Sequence, residues 1–274
     1  MRYSLLPLVI VSFLLLGAGK EAGKEAEKKW CELREQTSRD SIKVLWQLEK
    51  IDGKIILTTV RGQETHVTVH DQSCSTQKWL ISNKQAHTDA VARRAGEYIL
   101  MKGLFKGKPI DEKVAVDDLP WYQAMSLSLG FFSCSDQTSV EFWTLRPDDL
   151  TPHKMRAMKK QSEYMTFNGK KIQVQKVRVS LGGLLSFIWS GEFWFRKEDG
   201  MFMKYQGANG PPGASETIIT LVQEKPWENI PATTRGNTPV TIGGNPPATT
   251  RENIPDTGGN TPAKTEKKAT VSPT

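Results

Sequence analysis

From residue 41 to residue 222 the chain runs as short apolar stretches separated by turn residues, and few of them keep a helical spacing. Residues 187–206 show the pattern best. Aromatics crowd 191–196, and apolar residues recur through 201–205, as suits the half-buried pleated surface of a strand. Asp199-Gly200 lies between these runs. Asp-Gly flanked by apolar residues signals a hairpin, because glycine tolerates the positive φ of such turns. Pairing of 187–196 with 201–206 is therefore predicted. Asn168-Gly169 predicts a second hairpin, between 164–167 and 171–181, and the β-branched run 217–222 a closing strand. Residues 41–52, 54–60, 65–70, 76–82, 98–105 and 140–145 read as further strands. Residues 147–167 read as strand in preference to helix, because their neighbours are strands. Connections this short leave no room for crossover helices, so the strands should meander antiparallel.

Two stretches break the strand pattern. Residues 88–95 predict one or two helical turns capped by Thr88. Residues 117–130 are the best helix: Asp118 can cap, Pro120 sits near the first helical position, and Trp121, Met125 and Leu127 share a face. Gly130 supplies the stop. The resulting fold class is mainly β (α+β): a curved antiparallel meander or half-barrel whose concave face wraps one or two helices. The cores of its strands carry aromatics on both faces at Phe193-Trp194-Phe195, which demands cover on both sides. That cover is either an ordinary aromatic core or the wall of a ligand cavity.

The ends look different. Residues 1–19 carry Arg2, then an apolar run from Leu5 to Leu16, then Gly17, Ala18 and Gly19, the order of a secretory signal peptide. Residues 20–40 read as a charged spacer or lead-in. Residues 41–225 form a single β-rich domain. From residue 226 the composition shifts: Pro-Ala-Thr-Thr-Arg recurs at 231–235 and 247–251, and Glu-Asn-Ile-Pro at 228–231 and 252–255. So little there is apolar that 226–274 is predicted to be a disordered repeat tail. Export places the protein in the periplasm or outside the cell. In such an oxidising compartment two of the three cysteines, Cys31, Cys74 and Cys134, should pair. Three pairings exist; Cys74–Cys134 is favoured, since each sits in a Ser-Cys-Ser context near a strand end.

Charge is concentrated in one place. Residues 153–178 hold Lys154, Arg156, Lys159, Lys160, Lys170, Lys171, Lys176 and Arg178 against Glu163 alone, and eight minus one equals the formal net charge of +7 of the whole chain. Such a band suits an anionic membrane surface, lipid headgroups or an acidic envelope polymer. It also suits protection of an exposed strand edge by lysines. Nucleic acid is not an expected partner of an exported protein.

Motif-like features dissolve on inspection. His66-Val-Thr-Val-His70 would place two rings about 13 Å apart along a strand at about 3.3 Å per residue, too far to chelate one ion, so both read as surface histidines. Residues 103–109 (GLFKGKP) resemble a phosphate loop but are one residue short between the glycines, and Pro109 replaces the hydroxyl residue. They read as two glycine turns. Asp117-Asp118 and Asp148-Asp149 read as caps or turns. No catalytic set, metal site or cofactor is predicted. An enzyme reading would need a deep polar pocket joining a histidine to a carboxylate.

The closing segment Glu192-Phe-Trp-Phe-Arg-Lys-Glu-Asp-Gly-Met-Phe-Met-Lys-Tyr205, in an exported meander around a helix, resembles bacterial periplasmic half-barrel proteins of the lipoprotein-carrier (LolA/LolB-like) type over residues 41–222. It is similar also to an uncharacterised periplasmic family with a comparable Trp-Phe…Asp-Gly ending. The resemblance implies acyl chains held between a curved sheet and helices. The expected function is that of a non-enzymatic envelope protein binding a lipid-like, hydrophobic or amphipathic ligand. Trp121, Trp143, Trp189, Phe193, Trp194, Phe195 and Met203 are the candidate cavity residues. The alternative is a structural or protein-interaction module that uses its sheet edge and tail.

Overall fold

In the computed structural model, residues 27–183, 188–208 and 215–226 are described. The signal-peptide segment and the repeat tail after Pro226 lie outside them. All described residues belong to the unit Met1–Ala232, and the second unit, Thr233–Thr274, lies outside them too.

Among the described residues fourteen strands form one antiparallel sheet. In chain order they are β1 (Glu27–Gln36), β2 (Ser41–Ile51), β3 (Lys54–Arg61), β4 (Glu64–His70), β5 (Thr76–Asn83), β6 (Thr88–Ala95), β7 (Tyr98–Phe105) and β8 (Lys108–Ala115). After helix α1 (Met125–Cys134) come β9 (Ser139–Leu145), β10 (Pro152–Phe167), β11 (Lys170–Leu181), β12 (Ser190–Arg196), β13 (Phe202–Ala208) and β14 (Glu216–Pro226). The sheet order is β8-β7-β6-β5-β4-β3-β2-β1-β14-β13-β12-β11-β10-β9. The chain thus starts in the middle, meanders out to the edge β8, crosses to the opposite edge β9, and meanders back to lie beside its own beginning.

The crossing segment is what makes the sheet curl. Residues 116–124 run between strand and helix with a single bridge at Trp121, and they bond to both halves of the fold. On one side Trp143 N–H donates to the Pro120 carbonyl (2.8 Å) and Tyr122 N–H to the Trp143 carbonyl (2.8 Å), covering edge strand β9. On the other, Thr76 N–H at the start of β5 donates to the Trp121 carbonyl (2.7 Å). The Gln123 side chain closes the seam by accepting from Leu145 N–H (3.0 Å) and donating to the Leu145 carbonyl (2.9 Å). Beneath it, Trp79, Ile81, Ala92, Ile99 and Met101 of β5–β7 pack against Trp121, Leu145 and Leu150. A flat sheet of this width could not bring those strands together, so the curled half-barrel is a direct reading of this cluster. A larger cluster, with Leu129, Phe132, Phe142, Val177, Phe193, Phe195 and Phe202, sits between α1 and β9–β14.

Several expectations are corrected. Residues 88–95 are strand β6, not helical turns. Thr88, Ala90 and Ala92 are buried alternately, and pairing with β5 and β7 overrides their helix propensity. The helix starts later than expected. Pro120 and Trp121 are held extended by the seam, Ala124 is the N-cap without a side-chain cap, and Asp118 does not cap. Gly130 lies inside the helix instead of stopping it. The presumed lead-in contains β1, at the centre of the sheet with Cys31, Leu33 and Glu35 buried. Residues 108–115 form edge strand β8, so residues 103–109 span the end of β7, one turn and the start of β8. The expected Cys74–Cys134 disulfide is absent: Cys31, Cys74 and Cys134 are all free thiols. Ser128 Oγ–H donates to the Cys74 carbonyl, so Cys74 faces the middle of α1. Cys134 is six residues further along, about 9 Å of helix, beyond disulfide reach. Nor are the two histidines of β4 surface residues. His70 is fully buried and His66 half-buried.

Helix α1 seals one end of the half-barrel. A Cβ on Gly130 would lie 2.3 Å from the Gly200 carbonyl oxygen and one on Gly200, at φ +69°, would lie 2.5 Å from that of Gly130. Helix and β12–β13 turn therefore touch backbone to backbone. On the opposite side Ser128 Oγ–H (2.8 Å) and His70 Nδ1–H (3.2 Å) both donate to the Cys74 carbonyl.

Two predictions follow from this seal. In a solvent-exposed helix Gly→Ala would stabilise by about 1 kcal/mol, but here the added methyl meets a carbonyl that cannot move without dislodging the turn. Gly130→Ala should lower stability by roughly 1–3 kcal/mol, read from the urea midpoint. Burial pushes His70 down to about 4 from 6.5. Between those values the unfolded chain binds a proton that the folded chain refuses, so stability is full above about pH 6.5 and falls as pH drops toward 4. The shift of about 2.5 corresponds to roughly 3 kcal/mol. In His70→Gln that part of the acid-side slope should vanish in urea titrations between pH 7 and pH 4.5.

Candidate functional site

The end opposite α1 is open. Antiparallel strands place there the β3–β4 turn after Arg61, the β7–β8 turn at Lys106, the β9–β10 loop 146–151, and the ends of β11 and β13. A cavity of about 660 Å³ lies in this mouth, lined by Arg61, Glu64, His66, Pro147, Met155, Leu181 and Trp189 among others. An inner cavity of about 300 Å³ adjoins it, lined mainly by apolar groups: Leu33, Val44, Leu57, Trp79, Phe193, Phe202 and Ile219. The two share Arg61, His66, Met125, Pro147 and Trp189. Met125, the first residue of α1, stands where helix meets cavity. Both volumes lie in the range of ligand-binding pockets. At the sealed end a third cavity, about 340 Å³, runs beside α1 between Cys31, Trp46, Ile55, Leu127 and Phe131.

The cavity wall has one polar stripe, on β1, β3, β4 and β5. Arg61 reaches across β2 to Glu35 with two parallel bonds, Nε–Oε2 2.6 Å and Nη2–Oε1 2.7 Å. The Glu35 side chain is 3% exposed and that of Arg61 42%. The hydrogen bond to Glu35 holds the Arg61 guanidinium even more firmly protonated than usual. One turn on, Trp79 Nε1–H donates to His66 Nδ1 (3.0 Å), with the two rings stacked 5.7 Å apart. An indole nitrogen can only donate, so Nδ1 is unprotonated and Nε2–H must be the donor to Glu64 Oε1, 2.6 Å away. That bond to His66 lowers the Glu64 carboxyl below its usual range. Burial lowers His153 at the rim. Among the described residues no group of three or more His, Cys, Asp or Glu side chains could hold a metal ion.

The sequence-derived candidates do not gather in one place. Trp189 and Phe193 line the cavity. Trp189 hangs over the mouth with its indole N–H on the Ala208 carbonyl (3.0 Å), which also accepts from the Tyr205 hydroxyl (2.8 Å). Trp121 and Trp143 belong to the seam: Trp121 is fully buried, and Trp143 donates to Asp117 Oδ1 (2.6 Å). Phe195 is fully buried beneath α1 beside Gly130. Trp194 points to the other face of β12, between the ammonium groups of Lys176 (5.0 Å) and Lys204 (4.7 Å), and its indole N–H donates to Glu163. Met203 is the extra residue of the bulge opposite Trp194/Phe195. Arg61, Glu64, His66 and Glu35 were not anticipated as site residues. The alternation of β4, which buries Val67 and Val69 from one face and sends His66 to the other with Thr68 and His70, is the signal that could have found His66.

The basic band is not a single surface. Lys154 binds Asp117 (2.7 Å) and Lys176 binds Glu192 (2.6 Å), while Arg156 and Arg178 stand opposite Glu141 and Glu192 in register. Lys159 turns the other way, donating to the Ser135 carbonyl 5.0 Å from the Phe132 ring. Lys160 is exposed, and Lys170 and Lys171 sit at the β10–β11 tip, with Lys171 over Tyr164 (4.4 Å). β9 pairs with β10 only over Pro152–Met158, and β12 with β11 only from Val174. The hairpin segments carrying Lys160, Lys170 and Lys171 thus have flanks without a neighbouring strand among the described residues, where lysines oppose strand addition. The edge β8 carries its own Lys108, Pro109, Asp111, Glu112 and Lys113.

No protein-family model matches the sequence, and no curated protein matches it significantly. Solved structures do. A β-barrel-like protein of a domain of unknown function from Brucella abortus aligns with TM-score 0.51 at 9% identity, over 74% of this chain and 98% of that one. The hypothetical lipoprotein YmcC of Escherichia coli aligns with TM-score 0.35 at 9% identity, over 72% and 87%. A putative outer membrane lipoprotein-sorting protein domain from Vibrio parahaemolyticus gives 0.28 at 11%, over 76% and 88%. The Brucella similarity shows the fold: an open, barrel-like antiparallel sheet, the architecture that the resemblance to half-barrel proteins implied.

The ion pair on the cavity wall gives a stability test. Removing the cation alone strands a carboxylate that is 3% exposed. Arg61→Gln should cost roughly 3 kcal/mol in urea unfolding, and the neutral pair Glu35→Gln/Arg61→Gln distinctly less. Equal losses would show that the charge pairing itself matters little.

Proposed function

We propose that this chain is an exported, non-enzymatic envelope protein that holds a hydrophobic or amphipathic, lipid-like molecule inside its curled sheet. The observation that carries the reading is the pair of adjoining cavities between sheet and helix, open at one end and lined deep inside by Leu33, Val44, Leu57, Phe193 and Phe202. An apolar wall with a few polar groups near the entrance is what a site for such a molecule needs: burial supplies affinity and the polar groups fix orientation. The signal-peptide pattern of residues 1–19 supports an envelope location, the periplasm in the first instance. No helix among the described residues is long and apolar enough to cross a membrane.

The cavity does join a histidine to a carboxylate, the feature that would favour an enzyme. Yet Trp79 occupies Nδ1 and Glu64 holds the Nε2 proton. With both nitrogens engaged, His66 reads as part of the wall rather than as a general base. The interaction-module alternative draws less support, because the edge strand β8 carries proline and charges that oppose strand addition.

Native mass spectrometry of the purified mature protein, before and after lipid extraction, tests the reading. A co-purifying mass that extraction removes and added lipid restores is expected. Repeated isolation of a ligand-free protein that takes up no lipid would overturn it.

A further inference from the structure

Resting on that reading, the polar stripe indicates which end of the ligand faces the mouth and what charge it carries. The Glu35–Arg61 pair is oriented: its anion is 3% exposed and its cation 42% exposed, on the walls of both cavities. Glu35 uses Nε and one Nη2 hydrogen, which leaves three guanidinium N–H groups without a partner among the described residues. The neighbouring carboxylates are already engaged, Glu64 by His66 and Asp148 by Arg146 through Nε (3.0 Å). Across the mouth, Lys106 spends one ammonium hydrogen on the Asp148 carbonyl (2.5 Å). Glu64 and Asp148 keep further acceptor sites, but the spare donors on a cation at this entrance are the Arg61 N–H groups and the remaining ammonium hydrogens of Lys106. Apolar groups continue from it in both directions: Trp189, Met125 and Pro147 line both cavities, and Phe193 and Phe202 line the inner one.

We propose that the mouth recognises a single-chain amphiphile with a carboxylate head, which sits on the free N–H groups of Arg61 while its chain runs past Trp189 and Met125 into the inner cavity. A charge-assisted bond to a guanidinium is about twice as strong as a neutral one, so the head should discriminate by charge and not only by polarity. Binding of the head also leaves the Glu35 bonds in place, because it uses the opposite side of the guanidinium fork.

Titration calorimetry with decanoate, decanol and acetate tests this. Decanoate should bind about tenfold or more tightly than decanol, and acetate not measurably. In Glu35→Gln/Arg61→Gln, which removes the cation without stranding its partner, the ratio of decanoate to decanol affinity should fall to near one. Equal binding of decanoate and decanol by the unaltered protein, or a preference that survives in the double variant, would overturn the head assignment while leaving the cavity reading intact. Acetate binding as tight as decanoate would replace the amphiphile by a free small anion. Failure of all three to bind would remove the cavity reading and this proposal together.

Discussion

The crossing segment 116–124 is the constraint on which the rest depends. A sheet of fourteen strands has two edges far apart, and each edge offers unpaired backbone groups. Here one stretch of chain bonds to edge strand β9 through Pro120, Tyr122 and Gln123, and to the start of β5 through Trp121 and Gln123. Because the seam joins the far edge to the fifth strand and not to β8, the sheet overlaps its own curl instead of closing as a regular barrel. Strands β6–β8 lie beyond the join. That geometry separates two packed clusters, one under the seam and one under α1, and the mouth opens between elements belonging to each.

The interior that results is apolar but not uniformly so. A buried ion pair is a poor source of stability, since desolvating two charges costs about as much as their attraction returns. Glu35 and Arg61 escape much of that cost because the guanidinium keeps contact with the open cavity while both of its bonds to the carboxylate are short. The His66–Trp79 stack solves a related problem. An indole N–H facing a cavity wants an acceptor, and the imidazole supplies one at Nδ1 while its Nε2–H donates to Glu64. Every buried donor on this wall has a partner. Outside the wall, Trp30 Nε1 is the one buried side-chain donor that lacks one among the described residues.

Much of the sheet was legible in the sequence, because its strands announce themselves by turns. Asn168-Gly169 and Asp199-Gly200 sit where the chain reverses, and Asn168, Gly169 and Gly200 take the positive φ such turns need. What was hidden lay where tertiary contacts outvote local pattern. β1 carries Glu27, Lys28, Lys29, Glu32, Arg34 and Glu35, so it reads as a charged spacer; only its partner β14, nearly two hundred residues away in sequence, makes it the centre of the sheet. β6 is alanine-rich because it packs beneath the seam, where small side chains fit, and alanine reads locally as helix. Trp121 looked like part of a helical face, since nothing local says that its carbonyl belongs to Thr76. The candidate site was legible only in its aromatics. Trp189 and Phe193 could be picked out by type, but Trp194 and Phe195 are equally aromatic, and only strand alternation and the helix decide which faces open space. The charged members are invisible to such a reading, because Glu35 and Arg61 become a site only when β1 and β3 are brought into register through β2.

The two ends of the half-barrel are physically unlike, and this asymmetry gives the cavity a direction. At the sealed end the backbones of Gly130 and Gly200 touch beside the cavity of about 340 Å³, and the hydroxyl of Ser128 and ring of His70 converge on one carbonyl. Lys29 also pairs with Pro226 there, so the sheet's first and last strands begin and end beside the plug. The mouth, by contrast, is framed by turns and loops, and its groups have hydrogen-bonding capacity to spare. A molecule entering from that side meets Arg61, Trp189 and Met125 at the start of α1 first, and the apolar wall of Leu33, Val44, Leu57, Phe193 and Phe202 after them. Such a gradient would be pointless for a cavity filled by its own side chains. It is coherent for one that orders a molecule with a polar end and an apolar end.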